Sequence, residues 1–308
     1  MTWSVEISLV GAGGEPVDLK RTLMSHGVGD LPPSFIDEER PALVTTLELA
    51  PGRARTVTVD AGTRGTARVT TTGRRPPAAD AASIEACISH ILRLDQDLSA
   101  FYELAATDPQ LSWVLTGAGR MTRSATVFED VVKTICTTNC AWSATVRMVS
   151  ALVAHLGTAA PDAPAEGPKG RAFPTPEEMG SEGESFYRDV VRAGYRGPYL
   201  MSLAESVSTG AIDLEALGRA TPEELPDDEL EIILLGLPGV GPYAAAHIMM
   251  MLGRYSRLIL DSWTRPTFLA RSGMKRAKDS TIIRRFKSYG LYSGLAFWLY
   301  LTESWVED

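Results

Sequence analysis

Leu234–Arg265 reads LLGLPGVGPYAAAHIMMMLGRYSRLILDSWTR. Glu229 to Leu235 has the make-up of a short helix, which Gly236 is expected to end through left-handed dihedrals. Pro242 suits the first turn of a new helix, where its missing N–H costs nothing, and Ala244, Ala245 and Ala246 propagate that helix. Between the two, Gly239 and Gly241 carry no side chains, so the backbone lies bare. Bare N–H groups at a helix N-terminus attract anions, and a phosphate is the natural occupant. The alternative is an ordinary helical hairpin with no ligand. A second apolar run then delivers a lone carboxylate, Asp261.

Taken whole, the stretch resembles the helix-hairpin-helix (HhH-GPD) DNA glycosylases, whose signature is L-P-G-V-G-x-x-x-A followed by an essential aspartate. Leu237, Pro238, Gly239, Val240, Gly241 and Ala245 or Ala246 match the hairpin, and Asp261 falls where that aspartate stands. The resemblance implies a partner, double-stranded DNA carrying a lesion, engaged by a monomer.

The chain has 308 residues, enough for one large or two modest cores. Composition is that of an ordinary water-soluble protein, and no apolar run approaches the roughly twenty residues of a membrane span. MTWSVEISLV alternates like a strand and lacks the basic start of a signal peptide. Cys87, Cys136 and Cys140 form no disulfide framework and point to a reducing, cytoplasmic compartment, beside the nucleoid if the partner is DNA. The four histidines are scattered without zinc spacing, so no metal site is expected. The net charge of −8 argues against nucleic acid, but its distribution argues back. Arg254 to Lys287 holds ten Lys/Arg against two acids, whereas Glu177 to Glu231 holds fourteen Asp/Glu against four Arg. The basic block is read as a phosphate-facing surface, or else as a solvated charged face.

Residues 1–77 read as a β-rich domain. Trp3, Val5, Ile7 and Leu9 alternate with polar neighbours, as do parts of 43–49, 56–59 and 67–71. Asp18 to His26 suits a short helix or another strand. Pro76-Pro77 marks a boundary. Residues 78–308 turn to helical period: Asp80 is expected to cap a helix reaching Leu92, Val127, Val131 and Ile135 recur at four residues, and Gly157 closes a helix from about Ala141. About 158–184 reads as a long surface loop, with Thr175-Pro176-Glu177-Glu178 as a helix start. The expected fold class is α+β, mostly α: a small antiparallel β-rich domain before a two-lobed helical one.

A β-rich front and many short helices is the order of the 8-oxoguanine and 3-methyladenine branch of that superfamily. Phe128-Glu129 through Ile135-Cys136-Thr137-Thr138-Asn139 resembles its F-E-x-x-x-x-x-I-C-S-S-N segment, Phe173-Pro174 its F-P, Gly194-Tyr195-Arg196-Gly197-Pro198-Tyr199 its G-Y-R-A-x-Y, and Tyr289-Gly290 to Trp298 its closing helix. Similarity runs from about Leu94 onward. It implies that Asn139 fills the gap left by an extruded base, the alternative being a helix cap. It implies that Arg196 reaches the opposite strand, or else is an idle surface arginine. Breaking the C1′–N bond builds positive charge on the sugar, which a fixed anion stabilises while taking a proton from water. Asp261, amid Leu258, Ile259, Leu260 and Trp263, is the candidate for both roles; otherwise it caps the next helix.

Two departures matter. Members that also cut the strand carry a lysine two residues after the second hairpin glycine, where this chain has Tyr243. A phenol forms no imine, so base hydrolysis alone is expected, with Tyr243 lying against the base or packed between helices. The four cysteines of the iron–sulfur branch are missing, so no cluster is expected; a monovalent cation on hairpin carbonyls fits the resemblance. His247, Phe297 and Leu301 stand where the 8-oxoguanine branch has its base-reading cysteine, glutamine and phenylalanine. With Trp263 and Trp298 they complete the expected base pocket. Aromatic surface favours an alkylated purine over oxidised guanine or a mismatched pyrimidine. The rival classes are a damaged-DNA binder that does not cut and a protein-binding scaffold.

Overall fold

Alternation in the N-terminal segment builds five strands: β1 (Trp3–Ser8), β2 (Phe35–Asp37), β3 (Ala42–Ala50), β4 (Arg53–Ala61) and β5 (Thr66–Thr71). A computed structural model, describing residues 2–306, joins them in one antiparallel sheet of order β1-β5-β4-β3-β2. Cross-strand pairing puts Val5, Val69, Val59 and Leu43 in one row, and period two gives that face Ile7, Ala67, Val57 and Leu47 as well. The face is sealed by Leu19 and Leu23 of α1 (Leu19–Leu23) and by Ile84, Ile88 and Ile91 of α2 (Ala78–Ile91). The stretch from Asp18 is thus a helix, and Asp18 caps it by accepting from the Arg21 N–H at 2.9 Å. Strand gives way to helix at Pro77, yet α2 keeps its buried side on the sheet. Asp80 does not cap α2; its carboxylate pairs with Arg53 of β4 at 3.0 Å.

The remaining helices are α3 (Ser99–Ala106), α4 (Val127–Thr137), α5 (Trp142–Leu156), α6 (Pro176–Gly180), α7 (Gly197–Ser208), α8 (Leu214–Arg219), α9 (Asp227–Leu235), α10 (Pro242–Met251), α11 (Thr264–Ser272), α12 (Asp279–Phe286) and α13 (Ser293–Thr302). They enclose two cores. One gathers α4, α5, α7 and α9; the other gathers α3, α11, α12 and α13. Helix α10 belongs to both. Ala244, Ala245, Ile248 and Met249 face the first core, and Ala246, Met250 and Met251 the second. A helix apolar all round is stable only when covered on every side.

Residues 158–184 fold back rather than loop freely. Ala159 bridges to Arg171, Ala160 and Ala172 bury against Ala54 of β4, and α6 opens with a capping box between Thr175 and Glu178. Phe186–Val190 forms a π-helical turn. Gly157 closes α5 as expected, at φ −66°, and Gly236 ends α9 at φ −77°, without the left-handed dihedrals expected of it.

A buried ion pair ties the front of the chain to the helices. Glu15 accepts from the Arg120 guanidinium at 2.6 Å and from the Leu98 N–H at 2.5 Å, and Arg120 also donates to the carbonyls of Arg93 and Gln96. Removing one partner of such a pair strands a buried charge. Arg120→Ala should therefore cost about 3–5 kcal/mol in urea denaturation, and the double variant Glu15→Leu/Arg120→Met should cost less.

Candidate active site

The hairpin joins α9 to α10. Its turn is closed by the Val240 N–H donating to the Leu237 carbonyl at 3.2 Å, and both side chains are buried in the first core. Leu237 and Val240 thus anchor the turn and do not line the cleft beside it. Gly239 sits at φ 78°, and a Cβ there would come within 2.9 Å of the Tyr199 ring. Gly241 differs: its φ is −103°, and nothing lies within 4 Å of where its Cβ would be. Neither packing nor backbone demands glycine at 241; bareness itself is what the position supplies. Among the described residues, neither glycine's N–H is spent on another backbone group.

Both glycines open on a cleft of about 1120 Å³ between the two helical cores. Asp261 lies in its wall, half-buried, with its charge felt by Tyr243. One carboxylate oxygen, Oδ1, accepts from the N–H of Trp263 at 2.9 Å and of Thr264 at 2.6 Å, while the Asp261 N–H donates to Thr264 Oγ1 at 2.8 Å. Asp261 thus fastens the turn that leads into α11, whose own N-cap is Trp263, and that fastening is what aims it. Oδ2 has no hydrogen-bond partner among the described residues. The group is open to the cleft rather than enclosed by apolar side chains as expected.

Tyr243, His247, Trp263 and Trp298 line the same cleft. Burial pushes the Tyr243 phenol up, with the Asp261 charge adding to it, and its OH lies 3.4 Å from Thr137 Oγ1. Trp263, Trp298 and Trp305 form an aromatic wall with centroids 5.2–5.7 Å apart. Asn139 stands exposed at the rim at φ 46°, a left-handed conformation that Asn tolerates, with its amide 3.4 Å from the Tyr195 hydroxyl. It does not cap α5, whose N-cap is Ala141.

Three expected placements are corrected. Phe297 and Leu301 are buried in the second core, Phe297 against Phe268 and Phe286, and neither reaches the cleft. Arg196 is neither idle nor extended toward solvent. It is buried, donates to the Thr138 carbonyl and hydroxyl and lies over the Tyr195 ring, so it braces the turn that presents Asn139. In exchange the cleft gains residues not singled out from sequence: His26, Trp142, Tyr195, Arg265 and Trp305. Exposed aromatics are a signal for three of them, Trp142, Tyr195 and Trp305. Nothing in the sequence signals His26, which arrives from the N-terminal segment. It is held there by Trp298 Nε1 donating to the Ser25 carbonyl at 2.8 Å and by its own bond to Thr122.

The basic block is partly spent within the chain. Arg254 pairs with Asp227, Arg257 with Asp228 and Glu231, Arg265 with Asp279, and Arg271 with Glu303. Among the described residues Lys275, Arg276, Lys278, Arg284 and Lys287 enter no ion pair and are exposed. No group of three or more His, Cys, Asp or Glu is placed to hold a metal among the described residues, and no helix there is long and apolar enough to cross a membrane.

No protein-family model matches the chain, and no curated protein matches it in sequence. Solved structures do. The 8-oxoguanine glycosylase/lyase of Clostridium acetobutylicum in its apo-form is 18% identical, with a TM-score of 0.72 over 97% of this chain and 95% of that one. The same enzyme with double-stranded DNA containing cytosine opposite 8-oxoG is 19% identical, with a TM-score of 0.71 over 98% and 97%. The 3-methyladenine DNA-glycosylase from Archaeoglobus fulgidus is 17% identical, with a TM-score of 0.72 over 98% of each chain. The chain has the α+β fold that these helix-hairpin-helix DNA glycosylases share.

The two hairpin glycines should answer differently to a methyl group. Gly239→Ala, strained in φ and pressed on Tyr199, should lose about 1–2 kcal/mol of stability. Gly241→Ala should stay within about 0.5 kcal/mol of the parent in the same urea titration.

Proposed function

We propose that the chain is a monofunctional DNA glycosylase of base excision repair, releasing an alkylated purine from double-stranded DNA. One observation carries the reading: the free oxygen of Asp261 and the bare Gly239–Gly241 backbone line one cleft. A base in a duplex is out of reach, so the nucleotide must be swung out and its vacancy filled. The hairpin N–H groups hold a phosphate, the free cations at 275–287 add sequence-independent attraction, and Asn139 at the rim is placed to enter the stack. The Leu237 carbonyl, which accepts from the Val240 N–H, is a candidate ligand for a monovalent cation that would add charge at the phosphate.

The C1′–N bond breaks with its electron pair leaving on the base. Asp261 Oδ2 stabilises the sugar cation and takes the proton of the water that adds to C1′, leaving an abasic site and a free base. Tyr243 has no amine with which to attack the sugar. The state of three titratable groups in the cleft supports the alkylpurine reading. His26 and His247 are pushed down to about 4 and about 3 by burial, and the Tyr243 phenol is pushed up, so these groups are poor proton donors at neutral pH. A neutral base needs such a donor to leave easily; a cationic alkylpurine leaves as a neutral molecule without one. The tryptophan wall suits an electron-poor cation as well. The relatives named for 8-oxoguanine and 3-methyladenine support the glycosylase class and divide on the base.

Asp261→Asn keeps an oxygen for the Trp263 and Thr264 N–H groups, so the fold and duplex affinity should persist. Base release from methylated duplex should fall on the order of 10²–10³-fold. Wild-type-like release by that variant refutes the mechanism. With the parent chain, strands should break only after hot alkali; breakage without alkali refutes the role given to Tyr243. Gly241→Val should weaken binding to every duplex alike in a gel-shift series, because the contact it crowds is to phosphate and carries no sequence information.

A further inference from the structure

Two imidazoles meet at the floor of the cleft. His26, from the N-terminal segment, and His247, from α10, stand edge to face with ring centroids 6.0 Å apart. His26 Nε2 lies 2.7 Å from the Thr122 carbonyl oxygen. A carbonyl only accepts, so Nε2 carries the proton and Nδ1 is left as a bare lone pair. That Nδ1 is buried without a partner, and so are both ring nitrogens of His247. Burial holds both rings neutral, which leaves His247 with one donor and one acceptor. Buried polar atoms rarely go unpaired, because each costs the folded chain its desolvation. Three on facing rings, in the wall of the cleft that holds Asp261, form an unmet hydrogen-bonding surface.

Resting on the glycosylase reading above, we propose that His26 and His247 read the N–H-bearing edge of the extruded alkylpurine. The surface offers two acceptors and one donor. Its complement is an edge with N–H donors beside an acceptor: the amino group and neighbouring ring nitrogen of an N-alkylated adenine, or the amino, N1–H and O6 edge of an N-alkylated guanine. Positive charge on the purine acidifies those N–H groups and strengthens their bonds to a neutral imidazole. An imidazolium would instead repel the same base. The nitrogens are closed to water in the empty chain. His247 makes no hydrogen bond, so turning its ring toward an arriving base breaks none; Thr122 holds the His26 ring, so the proposal requires the same turn of His247 to uncover His26 Nδ1.

The test measures 3-methyladenine and 7-methylguanine released from methylated duplex DNA by the full chain, beside thermal unfolding and affinity for a duplex with an abasic-site analogue. His247→Leu should release both bases slower by about tenfold or more, keep abasic-duplex affinity, and melt at or above the parent temperature, since an unpaired polar group has gone. His26→Leu should also lose release. Carboxamides restore a donor and an acceptor, so His247→Gln and His26→Asn should recover most of it. The proposal is overturned if His247→Leu releases base at the parent rate. It is also overturned if the melting temperature falls in step with release, for then the imidazole serves packing or a buried water. Release by the parent from an 8-oxoguanine duplex alone removes the alkylpurine and overturns the proposal while leaving the glycosylase reading standing. A parent chain that releases no base from any lesion duplex refutes both.

Discussion

From Ala244 to Met251 helix α10 is buried on every side. Its alanines and methionines are shared between two cores, so the lobes on either side cannot separate without exposing it. The cleft opens at its N-terminal end. That geometry places three functions on one rigid rod: Gly241 before its first residue, Tyr243 on its first turn, and His247 on its second. The opposite wall is set by α11, whose start is fixed by the same carboxylate that faces the cleft. A cap and a catalytic anion are usually read as alternatives. In Asp261 one oxygen fastens the turn that leads into α11 and the other faces the cleft, where the mechanism proposed above uses it.

The elements legible in the sequence were those whose signals are local. Alternation located β1, β3, β4 and β5, and the glycine turn with Pro242 located the hairpin, because strand and helix periods act over a few residues. What failed was local grammar overridden by tertiary contact. Asp80 looks like a cap but is drawn to Arg53 of β4, and Gly236 looks like a left-handed terminator while the left-handed residue is Gly239. The segment 158–184 is rich in breakers, yet two of its alanines find a dry place on β4.

The site was legible in the same uneven way. Of the residues on or beside the turn, Gly239, Gly241 and Tyr243 line the cleft, whereas Leu237 and Val240, expected at the DNA as well, are buried in the first core. Phe297 and Leu301 do not line the cleft, because α13 is apolar on every face and no periodicity says which side meets it. Arg196 misled for another reason: a guanidinium is as useful inside, bracing carbonyls, as outside, gripping phosphate, and sequence does not distinguish the two. His26 could not be found at all. Its place depends on a tryptophan indole at the far end of the chain holding the carbonyl of Ser25.

Charge follows a similar division. A chain of net charge −8 seems a poor partner for a polyanion; ion pairs leave that net charge unchanged but decide where it is felt. Three acids of α9, Asp227, Asp228 and Glu231, pair with Arg254 and Arg257, which lowers the negative charge beside the hairpin. Asp279 ties the first turn of α12 to Arg265 in the cleft wall, so the exposed cations around it sit near the opening and not on a remote face. Inside the cleft the logic reverses, because the histidines are stripped of charge by burial and the carboxylate of Asp261 stands among them as an unpaired anion. Such a field is nearly silent toward a neutral base and strongest toward a sugar or purine that carries positive charge. Under the function proposed above, a preference for a cationic base would rest on that contrast between neutral imidazoles and a fixed anion.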